Sequence, residues 1–106
     1  MMLRDYVTDR PMNHRLSEEV KRRLTPRNLD ILEQASRGLS YGKIAVKHSV
    51  AAYRVKCIIG AMLNTLAGGH KVWNPLTELR RTPDKWVTLA RKMAKEAMDY
   101  HPATLI

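Results

Sequence analysis

Between residues 34 and 77 the chain contains no Asp or Glu, yet it carries Arg37, Lys43, Lys47, Arg54, Lys56 and Lys71. A surface of one sign concentrates a polyanion around it, and nucleic acid is the usual polyanion; a merely solvated face is the alternative reading. Within this segment Ser40, Tyr41 and Lys43 stand at the start of a short helical pattern. There, free backbone N–H groups, a hydroxyl and an ammonium can meet one phosphate. Lys47, Arg54 and Arg37 are further phosphate candidates. Other chemistries find little to build on. His14, His48, His70 and His101 are scattered and Cys57 is the single cysteine, so neither a metal cluster nor an internal disulfide is expected. With no nucleophile–base pair, no phosphate-binding glycine loop and no carboxylate pair in a cleft-forming segment, the chain does not read as an enzyme, and no cofactor is implied. A redox role for Cys57 beside Lys56 is outweighed by its reading as a small helix residue.

The whole chain of 106 residues shares this bias, with 19 Lys+Arg against 10 Asp+Glu, a formal charge of +9 and a sequence pI near 10.1. The flanks are basic but mixed, with Asp5, Asp9, Glu18 and Glu19 before the central segment and Glu78, Asp84, Glu96 and Asp99 after it. Hydrophobic residues make up 44%, with no Phe and two Trp, so a core must come from Leu, Ile, Val, Ala and Met. That composition suits packed helices, and the expected fold class is all-α. No apolar run approaches the roughly 20 residues of a membrane span, and Arg4, Asp5 and Asp9 stand where a signal peptide needs an apolar core. A cytoplasmic protein with no membrane partner is expected.

The elements follow from caps, stops and periodicity. Residues 1–15 show neither period 2 nor period 3.6 and read as a flexible basic arm, with Arg4, Arg10 and Arg15 as possible backbone contacts. A single helical domain is expected over 16–106. Ser17 with Glu18 and Glu19 predicts a short helix to about Arg23, burying Leu16, Val20 and Leu24. Thr25-Pro26 opens a helix over 26–36 with Leu29, Ile31, Leu32 and Ala35 inward, and Gly38 supplies a left-handed stop. Ser40 caps a helix over 41–48 that buries Ile44 and Ala45. Ser49-Val50-Ala51 makes a turn, and a longer helix over 52–66 buries Val55, Ile58 or Ile59, Met62, Leu63 and Leu66 before Gly68-Gly69. This is a helix-turn-helix in outline, with its core over 24–67. Asn74-Pro75 and Thr82-Pro83 are read as N-caps followed by proline, predicting C-terminal helices over 75–81 and 83–100. The longer buries Trp86, Leu89 or Ala90, Met93 and Ala97, with Tyr100 at its end, and leaves Lys85, Arg91, Lys92, Lys95 and Glu96 wet. Trp73 and Trp86 are expected to pack this region against the helix-turn-helix core or a second subunit.

Leu24, Thr25, Arg27, Asp30, Ile31, Leu32, Gly38, Ser40, Ile44, Ala45, Val50, Val55, Lys56, Met62 and Leu66 fall without a gap on the pattern of the LuxR/GerE (NarL-type) DNA-binding domain. Residues 24–67 resemble that family. The Gly38-Leu39-Ser40-Tyr41 start is similar also to region 4 of bacterial sigma factors. The sequence departs from the family at Lys43 for an acid, His48 for Leu, Ala51 for the capping Ser, Arg54 for Thr and Ile58 for His. The C-terminal segment does not follow it. The resemblance implies that the helix over 52–66 enters the major groove of double-stranded DNA, with Tyr53, Arg54, Lys56, Cys57, Gly60, Ala61 and Asn64 on its outward side. Lys56, at the position of the family's Lys, would donate to guanine. Cys57 and Gly60 would also face bases, the one by apolar contact and the other by close backbone approach, and Tyr53 joins them as a reader. Helix packing is the competing reading of Gly60, because an interior glycine costs roughly 1 kcal/mol against Ala. His48 reads as a partly buried structural histidine.

The leading expectation is a stand-alone, sequence-specific transcription regulator, of the size carried by phages, plasmids and other mobile elements. The C-terminal helices offer it a homodimer surface, with half-sites about 10 bp or a multiple apart. The alternative is an interaction module on the same fold, an antiactivator or a factor that binds RNA polymerase or another regulator. RNA remains open, because backbone electrostatics do not separate the two polymers.

Overall fold

The computed structural model describes residues 12–100, which form six helices joined by short turns. These are α1 (His14–Arg23), α2 (Pro26–Ser36), α3 (Tyr41–His48), α4 (Ala52–Leu66), α5 (Pro75–Arg81) and α6 (Pro83–Asp99). The all-α class expected from composition is the class observed. No helix among the described residues is long and apolar enough to cross a membrane.

The first helix starts earlier than its serine suggests. Asn13 is the N-cap, its side chain accepting from Leu16 N at 2.8 Å. Ser17 is therefore not a cap. It lies on the stripe that holds Leu16 and Val20, fully buried, and its hydroxyl reaches Ala97 O of α6 at 3.4 Å. Two capping residues compete four positions apart, and Asn13 wins because it leaves the apolar stripe intact. The expected arm is shortened accordingly: Met12 packs against the core, His14 and Arg15 are helical, and residues 1–11 lie outside the described residues.

The next three helices keep their expected bounds. Thr25 Oγ1 accepts from Asn28 N and Ser40 Oγ from Lys43 N, both at 3.2 Å. At the end of α2, Gly38 adopts φ +98°, and the N–H groups of Gly38 and Leu39 return to the carbonyls of Ala35 and Gln34 at 3.1 and 3.2 Å. These bonds help to satisfy carbonyls at the end of the helix that have no partner in a further turn. Gly68 and Gly69 close α4 the same way, onto Thr65 and Asn64. Between α3 and α4, Ser49 takes the left-handed conformation at φ 55° and Val50 N bonds Ala45 O at 3.0 Å.

The two later cap signals fail as hydrogen bonds. Neither Asn74 nor Thr82 makes a side-chain cap bond. A capping side chain reaches the free N–H groups from extended backbone, as at Thr25 and Ser40, whereas Asn74 is left-handed at φ 51° and Thr82 sits at φ −139°, ψ 67°. Proline alone marks those helix starts.

α6 closes the core by packing on α1 and α2, and α4 runs between α1, α2, α3 and α5. Trp86, Leu89, Ala90, Met93 and Ala97 of α6 are buried with Val20, Ile31, Leu32, Ile59 and Leu66, while Tyr100 is half-buried. Trp86 is the largest fully buried side chain. Trp73 does not pack on the helix-turn-helix core, remaining 69% exposed with Lys71 Nζ 4.4 Å from its ring centre. The neighbouring Val72 takes the inward position instead, held by its N–H on Asn64 Oδ1 at 2.8 Å.

Candidate nucleic-acid interface

The exposed part of α4 is its N-terminal half. Tyr53, Arg54, Lys56 and Cys57 stand in solvent, Tyr53 at 76% exposure. Further along, the outward side has protein neighbours. Gly60 is half-buried, and a Cβ there would lie 3.8 Å from Pro75 at the start of α5. Ala61 is half-buried as well, and Asn64 holds the loop before α5. The sequence offered no sign that residues 70–75 cover these turns. Only about two turns of α4 project as a free ridge.

A groove runs along each flank of this ridge, and Cys57 borders both. One flank, facing α3 and the loop before α5, is lined by Tyr41, Tyr53, Lys56, Lys71, Trp73 and Pro75, among others, around about 540 Å³. Burial pushes the Tyr41 phenol above its ordinary pKa, against the lowering charge of Arg80, and the contact with Cys57 one turn on pushes Tyr53 up. Both phenols therefore stay protonated near neutral pH and can donate. The other flank, facing the α1–α2 junction, holds about 330 Å³ lined by Arg22, Arg23, Arg27 and Arg54 with Thr25, Asn28 and Ile58. No carboxylate lines either groove.

Of the candidate phosphate contacts, Ser40, Tyr41, Lys43 and Lys47 gather on the α3 side of the site, whereas Arg54 lines the groove on the opposite flank. Ser40, the N-cap of α3, and Lys43 and Lys47 on α3 are exposed; α3 packs on α4 and α2, and Tyr41 lines the first groove. Ser40 Oγ accepts from Lys43 N, which leaves its proton free to donate outward. Lys43, Lys47, Arg54 and Lys56 make no ion pair among the described residues. Arg37 differs, because it is held by Glu33 at 2.6 Å, and Glu33 also takes Arg91. His48 is largely buried, its Nε2 3.0 Å from Asp30 Oδ2 but out of line for a hydrogen bond. Among the described residues no three His, Cys, Asp or Glu side chains gather as a metal site.

Sequence reading missed four arginines. Arg80 donates from Nε to Ala35 O at 3.1 Å and from Nη2 to Leu39 O at 3.0 Å, fastening α5 to the turn that precedes α3. Arg22, Arg23 and Arg27 line the groove beside α4, and the run Arg22-Arg23-Leu24-Thr25-Pro26-Arg27 was the available signal.

Fold and site together define a small all-α domain with a helix-turn-helix arrangement, whose second helix projects between two cation-lined grooves. Compared with models of protein families, with curated proteins and with solved structures, the chain matches none.

Proposed function

We propose that the protein binds double-stranded DNA by placing the first two turns of α4 in the major groove, and that it acts in the cytoplasm as a sequence-specific transcription regulator. The observation that carries this reading is the free, acid-free ridge of Tyr53, Arg54, Lys56 and Cys57 with a basic groove on each side. A major groove about 12 Å wide admits one helix and presents a phosphate strand at either edge. The resemblance of residues 24–67 to the LuxR/GerE domain supports the same reading. Lys56 is then the principal reader, donating to guanine O6 and N7, with Tyr53 and Cys57 beside it. Ser40, Tyr41, Lys43, Lys47 and Arg54 position the duplex through its phosphates. Gly60, which borders the first groove with Pro75 3.8 Å from its Cβ position, serves the close approach of α5 in this arrangement.

Selection from a pool of random duplexes across a salt series, with wild type beside the Lys56→Ala, Arg54→Ala double variant, tests this reading. An enriched motif that disappears in the variant is the expected result. Binding without selection that vanishes by physiological salt would leave only a polycation.

A second reading, contact with a protein partner or a second copy, is favoured by one feature away from α4. Met98 of α6 is 74% exposed and borders an apolar groove with Val20, Leu24, Pro26, Leu29 and Ala94. Under that reading, binding survives the α4 substitutions and fails in Met98→Asp.

A further inference from the structure

We infer that the arginine-lined groove between α4 and the α1–α2 junction is a second phosphate site, holding the DNA strand opposite the one met by α3. This rests on the DNA-binding reading above. Arg22 and Arg23 come from the last turn of α1, Arg27 from the first turn of α2 and Arg54 from α4, and all four line one open groove. None forms an ion pair among the described residues. Arg37, Arg81 and Arg91 elsewhere each take a glutamate.

Folding alone does not account for this gathering. Arg22 and Arg23 complement the negative C-terminal end of α1, but Arg27 stands at the positive end of α2, where a cation is disfavoured. Four guanidinium-bearing side chains around one groove repel one another, and an anion placed between them reverses the sign of that interaction. Phosphate is the fitting anion. A guanidinium is a planar fork that meets two phosphate oxygens at once and is only weakly hydrated. The groove also lies on the flank of the ridge away from the lysine-lined one, and Cys57 forms the crest between them. A helix seated in the major groove has one strand on each side, so the two grooves take one strand each.

The test is titration of a fluorescent random-sequence duplex of about 20 bp over a salt series, because each phosphate contact contributes about 0.9 to the slope of log K against log salt. Wild type, Arg22→Ala/Arg23→Ala/Arg27→Ala and the matching triple Lys variant are compared as full chains. The triple Ala variant should lose 10- to 100-fold in affinity at low salt, with its slope reduced by about 2.7, while the triple Lys variant keeps the slope. The motif selected from random DNA should stay the same, since this groove meets no bases. Unchanged slope and affinity in the triple Ala variant would overturn the second site and leave the DNA reading standing. Failure of wild type to bind the duplex at any salt would overturn the DNA reading itself. Helix content and melting temperature of each variant are measured alongside. Should the triple Ala variant not fold, Arg27→Ala alone decides, with a slope lower by about 1 expected and an unchanged slope counting against the site.

Discussion

The two flanks of α4 carry the same sign of charge and are built in different ways. The arginine flank draws on α1, α2 and α4, with α1 and α2 each packed on α4. The lysine flank ends on residues 70–74, a loop held by one main-chain bond to Asn64, the burial of Val72 and the fastening of α5 through Arg80. Guanidiniums on a rigid scaffold suit repeated, sequence-independent backbone contact. A loop bearing Trp73 at 69% exposure, a lysine over its ring and two phenols nearby offers varied contacts that depend on its own position. The difference teaches that net charge alone does not describe a surface: on the DNA-binding reading, one flank would supply grip and the other adjustable contact.

The ridge between the flanks should show the largest effect. On the DNA-binding reading, replacing Arg54 and Lys56 together by Ala would remove one phosphate contact and one base contact, each worth roughly 1–3 kcal/mol, so DNA affinity should fall on the order of 100-fold. Anisotropy with the selected duplex reads this, and a loss under threefold would break the assignment of the ridge. Next comes the fastening of the lysine flank. Arg80→Ala removes two charged hydrogen bonds to the carbonyls of Ala35 and Leu39. Stability should drop by about 1–2 kcal/mol, measured by thermal melting, because those carbonyls regain water on an open surface. If the flanks are separate devices, the salt slope of DNA binding should hold in Arg80→Ala while affinity falls.

How much of this was readable in advance depends on how local each cause is. Helices over 26–36, 41–48 and 52–66 were readable to the residue because start signal, apolar stripe and stop fall close together, as in Thr25, Ile31 and Gly38; the last of them lacks a side-chain cap at Ala51 and was legible from the preceding turn and its stripe. Ser17 misled because Asn13 offers an equal cap one turn earlier, and only α6, eighty residues on, makes burial the better use of that serine. Trp73 misled because size suggests burial, while the register set by Asn64 and Val72 turns the smaller neighbour inward. The candidate residues on α3 and α4 were legible from local spacing and family pattern. The arginine groove was not, since Arg22, Arg23 and Arg27 meet Arg54 only through the packing of α1 and α2 on α4.

The remaining predictions sharpen the contrast between the flanks. Trp73→Ala should leave folding stability unchanged, because the ring is mostly in solvent, and should cost about 1 kcal/mol of DNA affinity with no change in salt slope. An altered slope would show that Trp73 acts by placing Lys71 on a phosphate. The smallest effect is expected at Gly60, and there the sign matters most. The glycine lies inside α4, where Ala is favoured by roughly 1 kcal/mol. Its Cβ would meet Pro75 Cγ at 3.8 Å, an ordinary contact that demands no shift. Gly60→Ala should therefore raise stability by about 0.5–1 kcal/mol and leave DNA affinity within twofold. If affinity instead collapses while stability rises, the duplex must displace residues 71–75 to reach the third turn of α4. The loop would then be a movable cover and the arginine flank the only fixed wall of the site.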